Sequence, residues 1–157
     1  KSTFSQIDSA DQSFMAGQKI ADDLLDPNLK AVFLISDGTL VNGSDLVKGV
    51  KSKLDSKVII SGGLAGDGAN FRDTWVLRDG KPTPGIISAV GFYGHSFQYF
   101  TSSMGGWNNF GPKRMITKSK GNIVYEIDGK PALDLYKKYL GDLSDQLPSS
   151  ALLFPIG

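Results

Sequence analysis

Two short apolar segments separated by a helical pattern constrain the fold of this chain most. Residues 31–35 and residues 58–60 are both continuous apolar runs. Between them, a segment that opens at Gly43 or Ser44 carries apolar residues at helical spacing, namely Leu46, Val47, Val50 and Leu54. A strand, a crossover helix and a second strand form a βαβ unit, whose strands are parallel and whose crossover is right-handed. The unbroken run at 31–35 also predicts a strand that is covered on both faces.

An earlier helix is predicted over residues 9–25. Asp8 and Ser9 are suited to cap its start, and Asp26-Pro27 ends it. The helical period predicts one inward-facing stripe, made of Phe14, Gln18, Ala21 and Leu25.

The spacing changes from helices to hairpins after residue 68. Strands over 71–78 and 85–93 flank the acid–glycine turn Asp79-Gly80 and are predicted to pair with each other. Further strands are predicted over 95–103, 113–120 and 123–128, followed by a helix over 131–140 with its apolar side formed by Leu133, Tyr136, Tyr139 and Leu140. The fold class is therefore α/β with α+β character. Its mixed sheet has one parallel βαβ unit followed by antiparallel hairpins, under about three helices.

Composition excludes several functional classes. Seventeen basic and sixteen acidic residues are interspersed, which argues against a nucleic acid as the main partner. The longest uncharged apolar run, residues 85–93, is far shorter than the roughly 20 residues that span a bilayer. We therefore expect neither a nucleic acid nor a membrane as partner. The chain has no cysteine, so disulfides, thiolate nucleophiles and cysteine-based metal centres are excluded.

The glycine-rich segment 58–68 is the strongest candidate for a ligand site. An apolar strand leads into a predicted turn containing Gly62, Gly63, Ala65, Gly66, Asp67 and Gly68. Dense glycines permit positive φ and let backbone N–H groups approach a small ligand. The spacing is not that of a dinucleotide or nucleoside-triphosphate loop, and a predicted strand follows in place of a helix. The alternative is a tight connection whose glycines serve the turn alone.

A catalytic constellation is not evident. His95 is the only histidine, and no G-x-S-x-G elbow occurs. A pair of carboxylates for glycoside chemistry would have to come from Asp67, Asp73, Glu126 or Asp128. Many of the fifteen aspartates lie at turns and helix caps, as in Asp37-Gly38, where their side chains are suited to bond local backbone. We therefore expect a protein that is not an enzyme.

Polar and aromatic residues among the glycines complete the candidate binding set. Asp67 is suited to an ammonium group, and Arg72 and Arg114 are suited to a carboxylate. Trp107 is suited to wall a pocket, and the remaining hydrogen-bonding candidates are Thr117, Asn122 and Tyr125. Each has a structural alternative, because Trp107 would also plug a core edge and Asn122 would also make a turn. For Glu126 the alternative is an ion pair with a lysine.

Several motifs occur in a recognisable order. They are Gly62-Gly63-Leu64-Ala65-Gly66-Asp67, then Gly106-Trp107 with Phe110-Gly111-Pro112, then Thr117 to Asn122, and finally Glu126-Ile127-Asp128-Gly129-Lys130-Pro131-Ala132. In this order, over about residues 8–155, the chain resembles the N-terminal part of the FIST domain, a bacterial and eukaryotic sensory module. The last motif is the most specific one.

The resemblance implies a cytoplasmic input domain that binds small molecules such as amino acids. In that family the output, fused or separate, is of the histidine-kinase, cyclic-dinucleotide or chemotaxis type. Residues 1–157 would then be a single domain and a piece of a longer signalling protein, without its C-terminal half and without the first strand before Asp8. No cofactor is expected.

Some relatives implied by the same resemblance bind haem and respond to nitric oxide, which is the alternative function. Haem iron in a chain without cysteine takes histidine, methionine or tyrosine as its axial ligand. His95 would be the first candidate, followed by Met104 and Met115.

Overall fold

The computed structural model describes residues 1–109 and 111–156. Phe110, which belongs to the predicted Gly106–Pro112 motif, and Gly157 lie outside the described residues. The chain forms two compact units, Lys1–Ser103 and Met104–Gly157.

A four-stranded mixed sheet organises the first unit. Its strands are β1 (Ser2–Gln6), β2 (Leu29–Ser36), β3 (Ile59–Leu64) and β6 (Ile86–Tyr93), in the order β1-β6-β2-β3. The strands β2 and β3 are parallel, while β6 is antiparallel to both β1 and β2. The predicted α/β class and the parallel βαβ unit are therefore confirmed. The expectation that the strand before Asp8 is missing is wrong, because Ser2–Gln6 pairs with β6 along its whole length.

Two helices lie against one face of this sheet, α1 (Ser13–Leu24) and α2 (Gly43–Lys51). A 3₁₀ turn precedes α1 because the Ser9 hydroxyl donates to Asp11 and does not cap the helix. The predicted stripe of α1 is wrong except at Ala21, since Phe14 is 39% and Leu25 is 58% exposed. The buried residues of α1 are instead Ser13, Ala16, Gly17, Ile20, Ala21 and Leu24.

Small residues determine which side of α1 faces inward. A Cβ at Gly17 would lie 2.3 Å from the Leu46 carbonyl oxygen, and one at Gly49 would lie 2.1 Å from the Phe14 carbonyl oxygen. The two helices therefore pack at a distance that larger residues would not allow. The core beneath them contains Ile20, Leu24, Val32, Val50 and Ile87, all fully buried.

The opposite face of the sheet is only partly covered. Phe33 and Ile35 of β2 are both 38% exposed, so the prediction of a strand covered on both faces is wrong. A small hairpin of β4 (Val76–Arg78) and β5 (Lys81–Thr83) contacts β6. The Arg78 guanidinium lies 4.1 Å from the centre of the Phe4 ring on this face.

Two predictions in the hairpin region are wrong. The strand β4 pairs with β5 across Asp79-Gly80, and the predicted partner 85–93 pairs with β1 and β2 instead. Residues 97–103, predicted as part of a strand, have no regular secondary structure. Their aromatic alternation reflects packing on β6, where the Phe97 ring stacks on Phe92 with centroids 5.4 Å apart.

The second unit contains a three-stranded antiparallel sheet and one α-helix. Its elements are β7 (Ile116–Lys120), β8 (Ile123–Ile127), β9 (Lys130–Pro131) and α3 (Ala132–Leu140), followed by two 3₁₀ turns. The predicted β7–β8 hairpin is confirmed, with Gly121 at a φ of 59° in its turn. Pro131 caps α3 and Gly141 ends it, but Leu133 and Tyr139 on its predicted apolar side are about half exposed.

No helix within residues 1–109 and 111–156 has the length and apolar character needed to cross a membrane.

Candidate functional site

A cavity of about 290 Å³ in the first unit lies between β3 and the N-terminal half of α2. It is found towards the carboxyl ends of the parallel strands β2 and β3, which is where ligands bind in open α/β sheets. Its walls are mainly apolar, formed by Leu34, Leu46, Val47, Ile60 and Leu64. Gly62 and Gly63, two of the residues predicted to bind a ligand, also line it.

Both glycines belong to β3 and do not form the predicted turn, because the strand continues to Leu64. Gly62 has a φ of 148°, and a Cβ there would lie 1.9 Å from the Leu34 carbonyl oxygen. Glycine is therefore required where β3 approaches β2 closely. A Cβ at Gly63 would meet nothing within 4 Å. Among the described strands, β3 pairs only with β2, so its outer edge is free.

The N-terminus of α2 opens onto the same cavity at Gly43. The Asn42 side chain caps the helix by accepting a hydrogen bond of 3.2 Å from the Asp45 N–H. The Leu46 N–H donates to the Asn42 carbonyl oxygen. Within the described chain, the N–H groups of Gly43 and Ser44 have no hydrogen-bond acceptor. Two donors and the positive end of the helix dipole are thus available.

Two serines line the cavity, namely Ser61, whose hydroxyl is hydrogen-bonded to Tyr99, and Ser36. Ser36 is the more deeply buried of the two. It is 2% exposed and lines the cavity on the helix-facing side of β2, two residues after Leu34. None of the side-chain hydrogen bonds among the described residues involves its hydroxyl. Ser36 was not predicted as a site residue. The one signal in the sequence was its position as a polar residue directly after the apolar run 31–35.

Asp37 fixes the loop that leads from β2 into α2. Its buried carboxylate accepts hydrogen bonds from the N–H groups of Thr39, Leu40 and Gly85 at 2.7 to 2.9 Å. Burial raises the pKa of Asp37, but the bonds from Leu40 and Gly85, with the hydroxyls of Thr74 and Thr39 nearby, together lower it by more, so the net pKa lies below the ordinary value. The interpretation of Asp37-Gly38 as a turn is confirmed. The carboxylate holds in place the start of the loop that leads to α2.

The other candidates of the glycine-rich segment lie in the following loop and do not line the cavity. The Asp67 carboxylate accepts hydrogen bonds from the N–H groups of Phe71, Arg72 and Asp73. The bond from Arg72 is the main cause of its lowered pKa. Asp67 therefore closes its own loop. Ala65 donates its N–H to the Ser36 carbonyl oxygen, whereas Gly66 and the Arg72 side chain are exposed.

His95, the candidate haem ligand, is exposed in the turn after β6. It is close in sequence to the aromatic cluster of Phe92, Phe97 and Tyr99, whose Tyr99 hydroxyl is hydrogen-bonded to Ser61. In the second unit Met104 and Met115 are both exposed as well. No group of three or more metal-binding side chains occurs within the part of the chain that the structure describes.

In the second unit, Arg114 and Thr117 meet around the turn Asp128-Gly129. Arg114 donates to the Asp128 carboxylate at 3.0 Å and to the Tyr139 hydroxyl at 2.9 Å. The bond to Tyr139 and then that to Asp128 raise the pKa of Arg114, while the Met115 N–H and then Arg114 lower that of Asp128. The Thr117 hydroxyl accepts from the Gly129 N–H. These bonds fix the Asp128-Gly129 turn, which lies within the last motif.

The remaining predicted residues of this unit do not converge on one point. Trp107, Asn122 and Tyr125 are all exposed or half-exposed, and Asn122 directly follows the turn glycine of the β7–β8 hairpin. Glu126 lies 3.7 Å from the Lys118 ammonium, which is the ion pair expected as its structural alternative.

A family model of the FIST N domain matches residues 1–130. The chain belongs to the FIST N family. This family consists of sensory domains of signal-transduction proteins. The match begins at residue 1 and ends at 130, so it starts earlier and ends sooner than the resemblance over residues 8–155 indicated. Comparisons with curated proteins and with solved structures gave no match.

Proposed function

We propose that this FIST N chain is the ligand-binding input domain of a signalling protein, and that the cavity between β3 and α2 is its binding site. The supporting observation is the placement of free N–H donors, a buried hydroxyl and apolar walls around one cavity at the carboxyl ends of parallel strands. Gly62 and Gly63 belong to this site. The ligand is a metabolite of about the size of an amino acid.

The proposed protein binds its ligand without converting it. It is cytoplasmic, and it forms one domain of a longer protein whose output is a histidine kinase, a cyclic-dinucleotide enzyme or a chemotaxis module. A ligand seated between β3 and α2 contacts two elements at once. Its binding therefore favours one arrangement of the helix against the sheet edge, and this shift in population is the signal.

Thermal unfolding in the presence of a panel of metabolites tests the proposal. A ligand at 100 times its Kd adds about 2.7 kcal/mol to the free energy of unfolding. Val47→Phe would fill the cavity and should abolish the shift in melting temperature. Lys51→Phe, on the exposed side of the same helix, is the matched control and should leave the shift unchanged.

The fate of the ligand decides between sensing and catalysis. After prolonged incubation with the protein, NMR spectra of any bound compound should show it unchanged. Conversion of the compound would contradict a binding role. A panel in which no compound stabilises the protein would overturn the proposal.

A further inference from the structure

We propose that the cavity between β3 and α2 selects small monocarboxylates with a short apolar chain. This inference rests on the proposed function, and it specifies the chemical class of the ligand. The carboxylate is bound by the N-terminus of α2 and the Ser36 hydroxyl, and the apolar chain extends between Leu46 and Leu64.

The donors are the first argument. The Gly43 and Ser44 N–H groups have no acceptor within the described residues, and the hydroxyl of Ser36, a residue only 2% exposed, makes no hydrogen bond there either. Ser44 is exposed and Ser36 and Gly43 line the cavity, so a ligand can reach these donors. Such a ligand has to supply acceptor oxygens, because each donor would otherwise lose its contact with water. A carboxylate has two such oxygens, and its charge suits the positive end of a helix.

The charges around the cavity favour a ligand with a single negative charge. Among the described residues that line the cavity there is no lysine, arginine or histidine. Asp45 in the first turn of α2 is paired with Lys48 at 3.1 Å, and the Asp37 carboxylate is compensated by hydrogen bonds from its own loop. One carboxylate is therefore tolerated, whereas a phosphate dianion would have no cation to balance its second charge.

The size and the walls of the cavity define the rest of the ligand. A volume of about 290 Å³ lies at the lower end of the roughly 300–1,000 Å³ typical of small-molecule sites. Leu34, Val47 and Ile60 present only apolar side chains, and they complete the wall around Leu46 and Leu64. Branched or linear chains of about four to six carbons fit this space. A second charged group would lie against apolar walls without a partner.

Isothermal titration of the full chain with 4-methylpentanoate tests this inference, with 4-methylpentanamide and inorganic phosphate as comparison ligands. We expect binding of the carboxylate, with the amide at least about tenfold weaker because it loses the charge-assisted hydrogen bonds. Phosphate should not bind.

Ser36→Ala removes one donor and should weaken binding of 4-methylpentanoate about tenfold without loss of folding, since the hydroxyl makes no side-chain hydrogen bond in the free protein. The matched control is Ser5→Ala. Ser5 is a buried serine in β1, away from the cavity, and its replacement should leave the affinity unchanged.

Equal affinity for the acid and the amide, or full affinity in Ser36→Ala, would overturn the carboxylate assignment. If 4-methylpentanoate fails but other metabolites bind and lose their binding in Val47→Phe, the ligand class is wrong and the proposed function stands. If no compound of any class binds, the proposed function fails as well.

Discussion

Asp37 shows how one residue determines the position of several elements. Its carboxylate is fully buried, yet all four of its hydrogen-bond donors are neutral, namely the Thr39 hydroxyl and the N–H groups of Thr39, Leu40 and Gly85. These donors belong to the loop before α2 and to the residue that precedes β6. A single side chain therefore connects the end of β2 with the start of two other elements.

We expect Asp37→Asn to lower the free energy of unfolding by about 2–4 kcal/mol. The amide replaces one acceptor oxygen with an NH₂ group, which would face an N–H or O–H donor in a buried place. Unfolding in urea, followed by circular dichroism, measures the change.

The matched control for this prediction is Asp79→Asn, because Asp79 is another turn aspartate but its side chain is 87% exposed. The control should change stability by less than about 0.5 kcal/mol. If the two substitutions lowered the free energy of unfolding equally, the burial and hydrogen bonds of Asp37 would not contribute to stability as we infer.

At the scale of elements, the edge strand β3 depends on one of its two adjacent glycines. Gly62→Ala places a methyl group against the Leu34 carbonyl oxygen and imposes an unfavourable φ, so we expect a loss of about 2–4 kcal/mol. Gly63→Ala introduces the same methyl group into open space and should cost less than about 1 kcal/mol. Urea unfolding of both variants, done in parallel, gives the difference. Similar losses would refute the close approach of β3 to β2.

Elements that rest on local patterns could be predicted from the sequence. The βαβ unit, the β7–β8 hairpin and α3 all follow from apolar periods and from turn residues next to them in the chain. The pairing of β6 could not be predicted in this way, because its partners are β1 and β2 and the first lies far away in sequence. The stripe of α1 was wrong for a related reason. Helix contact through Gly17 depends on a partner helix that the period of α1 does not reveal.

The candidate site was predictable only in part. Gly62 and Gly63 were identified because glycines stand out after an apolar strand. Ser36 and Gly43 were missed as site residues, since a serine at the end of a strand and a glycine before a helix are common in any loop. Only the parallel pairing of β2 and β3 brings them to one cavity.

At the scale of the whole molecule, acid should destabilise the protein. Hydrogen bonds lower the pKa of Asp23, Asp26, Asp67 and Asp128, and at Asp37 they do so against the larger single effect of burial. A lowered native pKa stabilises the fold above the unfolded value of about 3.9, and this stability is lost as the pH falls through the native values.

We therefore expect the free energy of unfolding to be nearly constant from pH 7 to pH 5 and to fall steadily below pH 4. Urea unfolding at a series of pH values measures this curve, and in Asp37→Asn the fall should be shallower. A stability that rises on acidification would contradict the assigned shifts. Added salt should weaken only the part of the free energy of unfolding that comes from exposed aspartate–lysine ion pairs, such as Asp23 with Lys19.

The order of strands in the first unit also has a consequence for the synthesis of the protein. Gln6 pairs with Ile86 and Ser2 pairs with Val90, so β1 has no partner until about 80 further residues have been made. At about 5–20 residues per second, the ribosome needs roughly 4–16 s for that stretch. By the end of this time the βαβ unit is complete, while β6, the strand that joins β1 to it, has still to be made. Of the four strands in this sheet, β1 is therefore made before the others but cannot pair until the last one appears, and until then a chaperone has an unpaired segment to hold.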